Sequence, residues 1–175
     1  MSELTIYPNA DSTDGAWAPQ TGTDLYTNID EVSGGSDFAS LVSTQSRDST
    51  FLCGYQDPAG SGTINKITIW ANASISLNFG GPTFGFYLTV KSSSTQQDSA
   101  AKTLTGSDTD FSAEWATNPA TGVAWTWDEI NSLTAGCHGT ISGGSIGSIN
   151  VNRMKIVVDY TPTASGNPYY AYAQQ

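Results

Sequence analysis

Along three stretches of the chain apolar and polar residues alternate, and this period of two predicts β-strands with one face buried and the other wet. The clearest runs from Thr63 to Ala73: Ile67, Ile69, Ala71 and Ala73 share one face, and Lys66, Thr68 and Trp70 the other. Thr83 to Lys91 repeats the pattern, with Phe84, Phe86, Leu88 and Val90 inward and Tyr87 and Lys91 outward. In Val151 to Tyr160, Met154, Ile156, Val158 and Tyr160 point to the core, while Arg153, Lys155 and Asp159 point away. One wet face per strand is the mark of antiparallel sheets.

Shorter segments add to these. Leu4 and Ile6 open a strand that Pro8 is expected to end, and Asn9 to Gly22, with Trp17 and Pro19, reads as turns. Further strands are predicted near Asp24–Asp30, Phe38–Ser43 and Thr50–Tyr55, the last with Phe51, Cys53 and Tyr55 on one face. Polar turns at Ser33–Asp37 and around Arg47 separate them, and weaker strands follow at Ala100–Thr105, Thr109–Trp115 and Cys137–Ile141. Short strands about ten residues apart with turn signals between them predict an all-β antiparallel sandwich, jelly-roll-like.

The single helix signal lies near 126–135. Pro119 and Gly122 mark a turn before it. Thr126 precedes Glu129 by three residues, the capping-box spacing, and Ile130 and Leu133, with Trp127 as a third candidate, form an apolar stripe. Gly136 is positioned as a left-handed C-cap. Roughly two to three turns of helix cannot stand alone in water, so this one is expected to lie on the sheets. With no internal repeat and no linker, residues 1–160 read as one sandwich domain. Residues 161–175 read as a C-terminal arm in which Tyr169, Tyr170 and Tyr172 concentrate aromatic surface, either packed back on the domain or, as candidate partner-binding residues, against a neighbour.

At 175 residues the chain suits one domain with a sizeable core. Only 13% of residues are charged, and 6 basic residues face 16 acidic ones for a formal charge of −10. Such a surface repels phosphate backbones and anionic lipid, so neither nucleic acid nor membrane is an expected partner. No apolar run is long enough to span a bilayer. Met1–Ile6 lacks the basic and apolar regions of a signal peptide, which predicts synthesis and use without export. Two cysteines, Cys53 and Cys137, do not make a disulfide framework and are expected as buried free thiols.

Candidate chemistry is sparse. His138 adjoins Cys137, but neighbours on a strand point to opposite faces, which rules out a Cys–His dyad and leaves a surface or loop histidine. No nucleophile elbow, phosphate loop or zinc motif is present. The acid pairs Asp11 with Asp14, Asp30 with Glu31, and Asp128 with Glu129 fall in turns or at a helix start, where carboxylates stabilise free N–H groups. Asp108, Asp110, Ser112 and Glu114 share one strand face and form a weak calcium candidate, as do Asn9, Asp11 and Asp14. Solvated acids are the favoured reading, no cofactor is expected, and the chain is expected not to be an enzyme. Trp70, opposite Ile67 and Ile69 in phase, is the candidate for partner binding or for stacking on a sugar ring.

The wording of several segments resembles a group of β-rich proteins encoded in tailed-phage genomes. These are TIYPNAD followed by Trp17 and DLYTNIDE, the central Asn118–Gly136 segment, and Val151–Pro162. The resemblance implies a virion structural protein, made in the host cytoplasm and assembled into a particle. Its expected role is a capsid decoration or accessory head protein that contacts the major capsid protein or other virion proteins as a homo-oligomer. A tail or fibre component, or a carbohydrate-binding module, is the alternative.

Overall fold

The computed structural model describes residues 1–32, 37–43, 46–144 and 146–163, the side chains of residues 77 and 78 aside. Two antiparallel sheets face each other. The first has the order β3-β4-β11-β6-β9, with β1 also paired to β11; the second has the order β2-β5-β10-β7-β8. The strands are β1 (Ser2–Ile6), β2 (Pro8–Thr13), β3 (Trp17–Pro19), β4 (Ala39–Ser43), β5 (Arg47–Tyr55), β6 (Thr63–Phe79), β7 (Thr83–Ser92), β8 (Thr95–Asp98), β9 (Thr109–Trp115), β10 (Thr134–Ser142) and β11 (Ile146–Thr161). From β4 onward the chain swaps sheets in jelly-roll order: β4, β11, β6 and β9 form one layer and β5, β10, β7 and β8 the other.

The period-two reading holds where it was clearest. Ile67, Ile69, Ala71, Ala73, Phe86, Leu88, Val90, Met154, Ile156 and Val158 are all buried between the sheets, and Phe51, Cys53 and Ile149 close the same core. Burying each such side chain is worth about 1.5–3 kcal/mol. β6 and β11 pair over most of their length, from Ile146↔Phe79 to Thr161↔Thr63, and form the backbone of the first sheet.

Local expectations fail where hydrogen bonds reach across the fold. Pro8 begins β2 instead of closing the first strand, and Trp17–Pro19 is a short edge strand on β4 inside what read as turns. Asp24–Asp30 contains no strand but a 3₁₀ helix, Tyr26–Asn28. The Asp11 carboxylate accepts from the N–H groups of Leu25 and Tyr26, both at 2.8 Å, and so fixes that turn. Ala100–Thr105 is also no strand. It crosses between the layers, with Lys102 N–H donating to Phe86 and Ile75 N–H accepted by Thr105. β8 forms earlier, at Thr95–Asp98.

The helix α1 (Trp127–Ser132) is one and a half turns, shorter than 126–135. Its capping box is present: Thr126 Oγ1 accepts from Glu129 N–H and Glu129 Oε2 accepts from Thr126 N–H. Ile130 and Leu133 are buried as the stripe requires. Gly136 is no C-cap; it lies within β10, paired with Leu52, and a Cβ there would collide with the Phe51 carbonyl. The glycine serves close strand approach, so a local helix-end reading was misled. In the turn before the helix, the fully buried Asn118 accepts from Ala120 N–H at 2.8 Å and donates to Ser92 Oγ at 2.9 Å.

Candidate functional site

Of the five tryptophans, four have indoles taken up by the fold. Trp17 packs edge-on against Phe51 and donates Nε1–H to Ser49 at 3.1 Å. Trp115 is buried, and Trp125 beside it donates to the Trp115 carbonyl at 3.1 Å. Trp127 donates to Gly62 at 2.9 Å and meets Tyr160 edge-on. Trp70 alone among them is open, at 36% exposure, on the outer face of the first sheet.

Strand phase and register explain what surrounds it. Trp70 pairs with Lys155 on β11 and with Ser112 on β9, so all three point outward together. One step along, Asn72 pairs with Arg153 and Asp110 in the same way. The Lys155 ammonium lies 5.7 Å from the Trp70 ring centroid, a cation–π contact. Asp110 accepts from Asn72 at 2.7 Å and from Arg153 Nη2 at 3.0 and 3.1 Å. Those hydrogen bonds, the Asn72 one foremost, hold its carboxyl below the usual carboxylate range.

A loop forms the remaining wall. β4 and β1 pair with β11 on either side of Met154, and the Ile29 carbonyl fills the gap by accepting Met154 N–H at 2.7 Å. The chain then climbs past the sheet edge, bringing Glu31 and the exposed Val32 beside Trp70, Arg153 and Lys155. The half-open groove between them holds about 130 Å³. Burial raises the Glu31 carboxyl to about 7, helped by a hydrogen bond with Asp37 and by the charges of Asp37 and Asp30. Its Oε2 is shielded from solvent and has no hydrogen-bond partner among the described residues.

Sequence reasoning singled out Trp70 and placed Arg153 and Lys155 on an outer face, but it could not give the register that joins them. It missed Glu31 as a groove residue, since only the loop pinned at Ile29 brings it there. The proposed tyrosine contacts, Tyr169, Tyr170 and Tyr172, lie outside the described residues.

The calcium candidates are not assembled. Asp110 is committed to Arg153, and Glu114 pairs with Lys66 at 2.5 Å. Asp110 and Glu114 are four residues apart on one strand, about 13 Å, too far to share an ion. Asp11 caps the 3₁₀ helix instead of joining Asn9 and Asp14. Among the described residues no group of three His, Cys, Asp or Glu side chains is placed to hold a metal.

Cys53 and Cys137 are both free and buried, and burial pushes both thiols up. His138 points to the opposite side from Cys137, on the outer face of the second sheet. It stacks on Tyr87 and bridges Asp98, 2.6 Å from Nδ1, and Asp48, 2.8 Å from Nε2. Partial burial lowers its basicity, but the hydrogen bonds to Asp98 and Asp48 outweigh this and leave the imidazole above its ordinary range. No helix among the described residues is long and apolar enough to cross a membrane.

Comparison of the sequence with known protein families and with curated proteins finds no match. Solved structures with a similar course of the chain include a xylan-binding module, CBM15, at 11% identity and a TM-score of 0.46, covering 93% of this chain and all of that one. The tripod from the baseplate of bacteriophage Tuc2009 follows at 12% identity and 0.42, covering 94% and 67%. A Clostridium thermocellum xylanase fragment complexed with xylohexaose stands at 12% and 0.45, covering 92% of this chain and 30% of that one. At such scores and identities these likenesses carry no information about what the Trp70 face binds.

Proposed function

We propose that this chain is a non-catalytic binding module of a phage particle that holds a saccharide on the outer face of its first sheet. The carrying observation is Trp70: a large planar side chain kept open, and steadied by Lys155, inside a groove otherwise lined by hydrogen-bonding groups. Sugar rings present an apolar C–H face and a polar rim. An indole supplies the first contact, and Asn72, Asp110, Arg153 and Glu31 supply donors and acceptors for the second. About 130 Å³ is small beside the roughly 300–1,000 Å³ of small-molecule pockets, and suits one ring of a longer chain. The virion setting comes from the sequence resemblance. The test is a glycan array: binding is expected for the native protein and lost in Trp70→Ala. No binding to any glycan by the native protein would sink the proposal.

Capsid decoration is the second reading, favoured by that resemblance and by the tyrosines of the arm at 169–172. Here the domain, 1–160, seats on the lattice as a symmetric oligomer, contacts the major capsid protein and adds stability at each site by mass action. Copurification with intact capsids in fixed stoichiometry, weakened by deleting residues 169–175, is its expected outcome. Unchanged capsid occupancy after the deletion counts against the arm.

A further inference from the structure

Resting on the saccharide reading, we infer that the Trp70 groove selects an acidic sugar, a hexuronate residue of a polysaccharide, through Lys155 and Arg153. The chain carries only 6 basic residues against 16 acidic ones, so their placement is informative. Two of the six, Arg153 and Lys155, flank the open indole on one strand face. Lys66 is not available, because it is paired with Glu114. Lys102 donates to the Ser112 carbonyl at 2.7 Å.

Lys155, by contrast, makes no ion pair among the described residues, and its one specific contact is the Trp70 ring. Arg153 meets Asp110 through Nη2 alone, although both carboxylate oxygens are within reach. Nε and Nη1 therefore retain donors for a second planar anion, the geometry in which a guanidinium recognises carboxylate. A ring stacked on Trp70 would carry its C5 carboxylate toward this strand, where an ammonium and the free side of a guanidinium converge. Asn72 and Asp110 then face the ring hydroxyls. Asp110 and Glu31 share the groove with Lys155 but neither forms an ion pair with it, and a hexuronate would bring a carboxylate that the ammonium can meet directly. Because the groove's charges lie within one Debye length of the ligand, about 8 Å at physiological salt, their local balance governs the encounter rather than the chain's net charge.

The 175-residue chain is titrated calorimetrically with polygalacturonate and with its carboxyl-reduced, neutral counterpart. The native protein is expected to bind the acidic polymer about ten-fold tighter or more, in line with a charge-assisted hydrogen bond. Lys155→Gln should weaken both polymers, the neutral one through the lost steadying of the ring and the acidic one by about a further ten-fold, so that the preference falls to within about two-fold of unity; Trp70→Ala should lose both. Far-ultraviolet circular dichroism and the melting temperature confirm that each variant is folded; if Lys155→Gln does not fold, Lys155→Met takes its place. Equal affinity for the two polymers overturns this inference and leaves the saccharide reading standing. Binding to neither polymer, nor to any glycan on the array, overturns both. Binding to a phosphate-bearing polymer such as teichoic acid, with none to polygalacturonate, overturns the choice of carboxylate.

Discussion

Lys155 and Trp70 are direct cross-strand partners, and the lysine's ammonium lies 5.7 Å from the centre of the indole. An exposed aromatic on a flat sheet face can adopt several rotamers. A cation held on the neighbouring strand favours one of them at a cost smaller than ordering the ring on each binding event. The pair therefore acts as a prepared platform.

Removing the platform should separate binding from stability. Trp70→Ala is expected to cost about 1–2 kcal/mol, since the residue is already 36% exposed and fills no core position. Trp17→Ala, which empties a buried site against Phe51 and breaks the hydrogen bond to Ser49, should cost about 3–5 kcal/mol. Chemical denaturation of both variants measures the contrast. A large loss from Trp70→Ala would mean the ring is structural.

Asp11 gives a second contrast, between a capping role and an ion-binding one. Its carboxylate accepts two backbone N–H groups from the 3₁₀ helix, so Asp11→Ala should destabilise by about 0.5–2 kcal/mol. Adding calcium to the native protein should leave the melting temperature unchanged, because the acids that alternate along β9 are too widely spaced and two of them are paired with cations. A calcium-dependent rise that disappears in Asp110→Asn would restore the ion-binding reading.

How far the sequence carries is visible at these same residues. Strand phase alone put Ile67, Ile69, Phe86, Leu88, Met154 and Ile156 inside and Trp70, Arg153 and Lys155 outside, because half-buried strands declare their two faces by alternation. Register, jelly-roll order and the Glu31 wall depend on pairings across tens of residues, which no local pattern encodes. Gly136 and the Asp24–Asp30 segment misled for the same reason. The first answers to the backbone of β5, and the second to a carboxylate more than a dozen residues upstream.

Gly136 yields its own prediction. Ala at this position would press its methyl into the Phe51 carbonyl inside the central pairing of the second sheet. Neither strand is free to move, since β10 is held by β5 on one side and β7 on the other. Gly136→Ala should cost several kcal/mol, of the order of 3. Had Gly136 been a helix C-cap, the same change would cost about 1 kcal/mol. Equilibrium unfolding distinguishes the two.

His138 makes stability depend on pH. Only a doubly protonated imidazole can donate to Asp98 and Asp48 at once, and its folded-state basicity is raised accordingly. A raised folded value means that the stabilisation is fully present below the ordinary 6.5 and is lost as pH climbs through the higher folded value. Glu31 acts in the same direction between 4.5 and about 7. Melting temperature should therefore fall across this window. His138→Gln and Glu31→Gln should each flatten part of the slope, and the imidazole resonance of the single histidine reports the first contribution directly.

Glu31 also ties the groove's charge to pH, and binding should follow. Facing it are Asp30 and Asp37 from its own loop, Arg153 and Lys155 from β11, and Asp110 from β9. With Glu31 ionised, the two cations meet two carboxylates at the groove. With it protonated, below about 7, one of those negative charges is gone while a hexuronate, a stronger acid, keeps its own. Affinity for polygalacturonate should rise as pH is lowered from 8 to 6, by about three- to ten-fold if one nearby charge is neutralised in a partly solvated site. Glu31→Gln should hold the affinity near its low-pH value throughout, and the neutral polymer should show no such trend. A pH profile unaltered by that substitution would remove Glu31 from the binding surface and leave the loop as a passive wall.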